Sequence, residues 1–94
     1  MFIVRNVFIA KAGCASKLAA QLKEAGETMK TANHRILTDV TGDFNRVILE
    51  IEVESIGDYE KEFQASRDNP EFREKMKGYT DLWITGSREI LRVL

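Results

Sequence analysis

Asn6 is the one polar residue in a column that is otherwise apolar. Phe2, Val4, Asn6 and Phe8 alternate with Ile3, Arg5, Val7 and Ile9, and period-two alternation marks a strand with two distinct faces. A carboxamide in an oily layer needs partners, because an unpaired buried polar group costs about 1–3 kcal/mol. Asn6 is the candidate catalytic residue, as a donor to a bound carbonyl or oxygen intermediate. The plainer role is a structural hydrogen bond to a neighbouring side chain or loop.

Other groups offer less. His34 is the only imidazole, and a zinc site wants three or four ligands, so no metal is expected. It could act as a general base, but a surface position at a strand end fits it better. Cys14 lies near a helix start, where a thiol can become reactive, or it simply packs as a small hydrophobe. Tyr59, Phe63, Phe72, Met76, Tyr79 and Trp83 form an aromatic-rich set. At these spacings they suit a core, and with Val4 and Phe8 they are the expected walls of a ligand pocket around Asn6.

These residues need a scaffold. The first strand spans roughly 2–10. A helix opening at Cys14 or Ser16 and reaching about Lys30 carries the stripe Leu18, Leu22, Ala25 and Met29. Gly26 is its weak point. A second strand, about 34–41, turns at Thr41-Gly42-Asp43 into a third, 46–54. Ser55 caps a helix whose buried stripe is Ile56, Tyr59 and Phe63 and which stops near Ser66. Asn69-Pro70-Glu71 restarts a helix, with Gly78 at its stop. A final strand runs about 86–93.

The order strand, helix, strand, strand, helix, strand predicts an α+β fold. It is a ferredoxin-like βαββαβ, with a four-stranded antiparallel sheet and both helices on one face. The first strand is apolar on both sides, yet 94 residues supply only one layer of helices. Its second face therefore calls for a partner, and a second copy is the simplest. The expected dimer interface is Ile3, Arg5, Val7, Ile9, Arg46, Ile48, Glu50, Arg88, Ile90 and Arg92. Buried charges among them set register and partner choice more than raw stability.

The totals bound the rest. The length predicts one domain, 1–94. A net charge of −1 gives no basic surface for counterion release from nucleic acid. One cysteine and no signal-peptide pattern suggest a reducing cytoplasm. No apolar run approaches the roughly 18–20 residues that span a bilayer.

The element order, the Asn69-Pro70-Glu71-Phe72-Arg73 restart and the closing Gly86-Ser87-Arg88-Glu89-Ile90-Leu91 resemble the dimeric α+β barrel superfamily. The chain is most similar to NIPSNAP-type proteins, with the antibiotic-biosynthesis monooxygenase group as a relative. The resemblance implies two sheets packed face to face, with helices outside and a cavity between each sheet and its helices. Haem-degrading and quinone-forming members place an asparagine on the first strand, and Asn6 matches it. Their second-helix tryptophan has no counterpart here, where Tyr59, Glu62 and Phe63 stand, and their histidine falls near Met76.

Two functions follow as expectations. One is a homodimer binding or oxidising a small hydrophobic or aromatic molecule, as a cofactor-independent monooxygenase-like enzyme would. The other is a non-enzymatic dimeric protein-interaction module.

Overall fold

The computed structural model describes residues 1–29 and 33–94. The apolar alternation of the first segment forms β1 (Phe2–Ala10). It is followed by α1 (Ala15–Glu27), β2 (Asn33–Thr38), β3 (Arg46–Val53), α2 (Ile56–Asp68) and α3 (Pro70–Lys75). A short 3-10 turn (Tyr79–Leu82) leads into β4 (Trp83–Arg92). The strands form one antiparallel sheet in the order β2-β3-β1-β4. This is the expected βαββαβ arrangement. No described helix is long and apolar enough to cross a membrane.

The element ends follow local chemistry. Cys14 occupies the N-cap of α1 without a side-chain cap bond. Thr28 closes that helix, its hydroxyl donating to the Ala25 carbonyl at 2.7 Å, so α1 stops short of the expected end. Lys30, where that end was placed, lies outside the described residues. Ser55 Oγ accepts from the Asp58 amide at 3.1 Å, as its place before α2 predicts. Asn69 Oδ1 accepts from the Glu71 and Phe72 amides and starts α3 directly after α2. Gly78 ends that segment with φ near +80°, a left-handed conformation that glycine adopts without a Cβ clash. β4 begins three residues before the expected start, at Trp83. There Trp83 and Thr85 pair with Ala10 and Ile9 across a register shift.

Directly opposed residues of an antiparallel pair share a face, so the register assigns both faces. The helix side carries Val4, Asn6, Phe8 and Ala10 of β1, and Val47 and Val53 of β3. It also carries His34 and Ile36 of β2. Leu18 and Leu22 of α1 close this layer over Ala10 and Val47. The open side carries Ile3, Arg5, Val7 and Ile9, opposite Glu52, Glu50, Ile48 and Arg46. Arg35 and Leu37 join it from β2, and Glu89 and Leu91 from β4. The chain is 18 Å deep along its shortest axis, the depth of one sheet and one helix layer.

The register corrects one expectation. Arg88, Ile90 and Arg92 oppose Asn6, Val4 and Phe2, so they lie on the helix side and not on the open face. β4 has no clean apolar column to announce its inner face, and the pairing with β1 decides it.

Gly26 is also more than a weak point. A Cβ there would sit 2.4 Å from His34 Nε2, so the missing side chain makes room for the imidazole between α1 and β2. His34 is thus half-buried on the helix side, and the expected surface position is corrected.

Candidate functional site

Asn6 sits at the middle of β1, paired with Leu49 on one side and Arg88 on the other. It is 8% exposed. Arg88 Nε donates to Asn6 Oδ1 at 2.5 Å, and the amide nitrogen of Asn6 has no partner among the described residues. The Arg88 guanidinium lies over the rings of Tyr59 at 5.7 Å and Phe63 at 5.5 Å. Those rings are 6.2 Å apart on successive turns of α2. A cation over aromatic faces is held by the ring quadrupole, and the bond from Nε fixes how the guanidinium is turned. Its two Nη groups have no hydrogen-bond acceptor among the described residues. Donors from β1 and β4 therefore meet beneath two rings from α2. Such a set can hold a carbonyl or an oxyanion.

α2 leaves this region accessible. It has no buried residue, with Ile56 48% and Phe63 42% exposed. The expected buried stripe of that helix is corrected to a half-open one.

The expected pocket residues fall into separate groups. Tyr59 and Phe63 gather at Arg88. Phe8, Tyr79 and Trp83 stack together at the other end of the sheet, with Phe8 and Trp83 edge to face at 5.4 Å. Met76 joins this second group against the core of α1. The Trp83 indole nitrogen is buried there without a partner among the described residues. Val4 is fully buried beneath the helices, and Phe72 is half-buried on α3. A cavity of about 460 Å³ is an open groove between α1 and the turn after α3, lined by Lys17, Gln21, Lys77 and Asp81 among others. None of the expected pocket residues lines it.

The open face holds the second polar constellation. Glu50 is 2% exposed. Arg5 donates to its Oε2 at 3.3 and 3.1 Å, and Arg35 to its Oε1, at 2.8 Å from Nε. The hydrogen bond from Arg35 does most to hold the Glu50 carboxyl below its ordinary range. Desolvation opposes it and Arg5 reinforces it. Arg46 Nε pairs with Asp39 at 2.9 Å. Arg35 was not among the expected interface residues. The signal was the hairpin, which sets Arg35 opposite Glu50 once its register is known.

Among the described residues no group of three or more His, Cys, Asp or Glu could hold a metal ion. Cys14 packs half-buried against the core. His34 stands two strands away from Asn6.

The architecture is shared with solved structures of low sequence identity. An uncharacterised NIPSNAP domain protein from Burkholderia xenovorans aligns with a TM-score of 0.86 at 12% identity, covering 100% of this chain and 95% of its own. A NIPSNAP family protein from Agrobacterium tumefaciens also reaches 0.86 at 12% identity, over 99% of this chain and 85% of its own. A candidate antibiotic-biosynthesis monooxygenase from Chloroflexus aurantiacus reaches 0.79 at 16% identity, over 98% and 92%. The resemblance carried by the sequence therefore holds at the level of fold. No protein-family model and no curated protein matches the chain.

Proposed function

We propose that this chain works as a cytoplasmic homodimer that binds a small hydrophobic or aromatic molecule between α2 and the sheet. The observation that carries the ligand reading is the Asn6–Arg88 pair. It places polar donors in an apolar layer, under two rings of a helix that buries nothing. Sites for small molecules combine apolar walls with a few fixed polar groups in this way.

The open face supports the dimer. Ile3, Val7, Ile9, Leu37 and Ile48 lie there with no second layer over them. Its strands carry three arginines, Arg5, Arg35 and Arg46, and three glutamates, Glu50, Glu52 and Glu89. Equal numbers of the two signs let such a face meet its own copy across a two-fold axis without net repulsion. Sedimentation in moderate salt is expected to give twice the chain mass, and a persistent monomer overturns the dimer.

A non-enzymatic interaction module is the second reading. It is favoured by the position of the 460 Å³ groove, whose lining does not include Asn6. Oxygen uptake with quinols and polyphenols separates the two. In the oxidative form, the keto tautomer of the phenolic substrate presents a CH2 group flanked by conjugation, and this group reduces O2. One oxygen atom becomes the new carbonyl and the other leaves as water. Wild type is then expected to outpace Asn6→Ala, and equal rates remove Asn6 from any such chemistry.

A further inference from the structure

The seven arginines are not equivalent. On the open face Arg5 and Arg35 share Glu50, and Arg46 holds Asp39. On the helix side, Arg88 and Arg92 of β4 and Arg67 of α2 have no salt bridge among the described residues. Each instead stands over an aromatic ring. Arg67 and Arg88 both lie over Phe63, at 5.8 and 5.5 Å, and Arg92 lies over Phe2 at 5.5 Å. Three guanidiniums without a salt bridge among the described residues thus lie along α2 and β4. Arg88 and the rings of Tyr59 and Phe63 form the site between α2 and the sheet proposed above.

We propose that the ligand of this cleft is an anion, an amphipathic molecule whose carboxylate or other oxyanion docks on the Arg88 fork. The Nε side of that guanidinium is committed to Asn6, which leaves the edge made by the two Nη groups. That edge matches a carboxylate with two parallel hydrogen bonds. Asn6 is then a positioning residue that orients the fork. The ligand's apolar body would lie along Ile90, which is 44% exposed two residues further on the same face, toward Phe2 and Arg92. Arg67 and Arg92 add attraction without needing to touch the anionic group. The inference rests on the cleft reading and names the charge of what enters it.

Two fluorescent probes of the same shape test it on the whole chain. Anilinonaphthalene sulfonate carries an anionic group, and phenylnaphthylamine is its neutral analogue. The sulfonate is expected to bind about tenfold more tightly than the amine, the scale of one charge-assisted hydrogen-bonding pair. Arg88→Gln is expected to erase that preference while leaving the amine within about twofold, as loss of a charge contact without loss of apolar walls predicts. Arg73→Gln, on the exposed side of α3, is expected to change neither. Equal binding of the two probes to the wild type overturns the anion inference and leaves the cleft standing. A sulfonate preference that survives Arg88→Gln also overturns it. Binding of neither probe overturns the cleft and the inference together. The wild-type comparison alone decides the matter should Arg88→Gln fail to fold.

Discussion

α1 and α2 are each 13 residues long and cover the same side of one sheet. α1 buries Leu18, Leu22, Ala25 and Gly26, and α2 buries nothing. The difference lies in the residues at each contact. α1 presents small residues, Ala25 and Gly26, which let it come down onto β2 and the His34 ring. α2 presents Tyr59 and Phe63, and beneath them the sheet presents a guanidinium. A helix can close tightly over aliphatic side chains but stands higher over an arginine that is hydrogen-bonded to its neighbour. One half of the layer therefore holds the fold together. The other half keeps accessible rings and donors, and the proposed function lies there.

The largest test of this contrast is truncation. Leu18→Ala should cost about 3 kcal/mol, because it removes a fully buried side chain and leaves a cavity. Phe63→Ala on α2 should cost about 1–2 kcal/mol, since a side chain 42% exposed loses less burial. Urea midpoints measure both, and equal losses would break the contrast.

Next in size is a matched pair of glycines. Gly26→Ala places a Cβ against the His34 ring and should destabilise by about 1–2 kcal/mol despite alanine's better helix propensity. In a His34→Ala background the same change should become stabilising. Gly57→Ala on α2 meets only Ser55 Oγ at 3.7 Å and should be neutral or stabilising by up to about 1 kcal/mol. Thermal melts of the four variants make the comparison.

The smallest effect is acid titration of the open face. The folded-state pKa of Glu50 is lowered, chiefly by Arg35. Its contribution is therefore full above the unfolded carboxylate pKa, about 4.3. It is lost as pH falls from there through the folded value. Arg5 and Arg35 are 35% and 63% exposed as side chains, so in an isolated chain the effect stays below about 1 kcal/mol. Glu50→Gln should flatten this part of the acid limb in a denaturation series across pH. A loss well above that size would mean that a second copy covers the face.

Much of the fold was legible because its signals are local. The two columns of Phe2–Ile9, the Ser55 and Asn69 caps and the stop at Gly78 each depend on residues within a few positions of one another. The helix-side column of β1, with Asn6 inside it, was readable for the same reason. Arg88 was not. Its face depends on the β1–β4 pairing, and the column that faces the helices, Arg88, Ile90 and Arg92, is more polar than Glu89, Leu91 and Val93, so alternation alone points the wrong way. Arg35 stayed hidden because its value comes from facing Glu50 across the hairpin. His34 was misplaced because only the packing of α1 shows that Gly26 leaves room for a ring.

By itself, then, the sequence determined the elements, their order and the presence of one amide in an apolar layer. Periodicity, caps and turns act over a few residues, and the order of residues records them directly. Only the tertiary structure decided what that amide meets. Residues 6 and 88 are 82 positions apart, and a one-residue change in strand register would turn Arg88 to the opposite face. Register is set jointly by all four strands, so the partner of Asn6, and with it the charge of the proposed ligand, exists only in the assembled sheet.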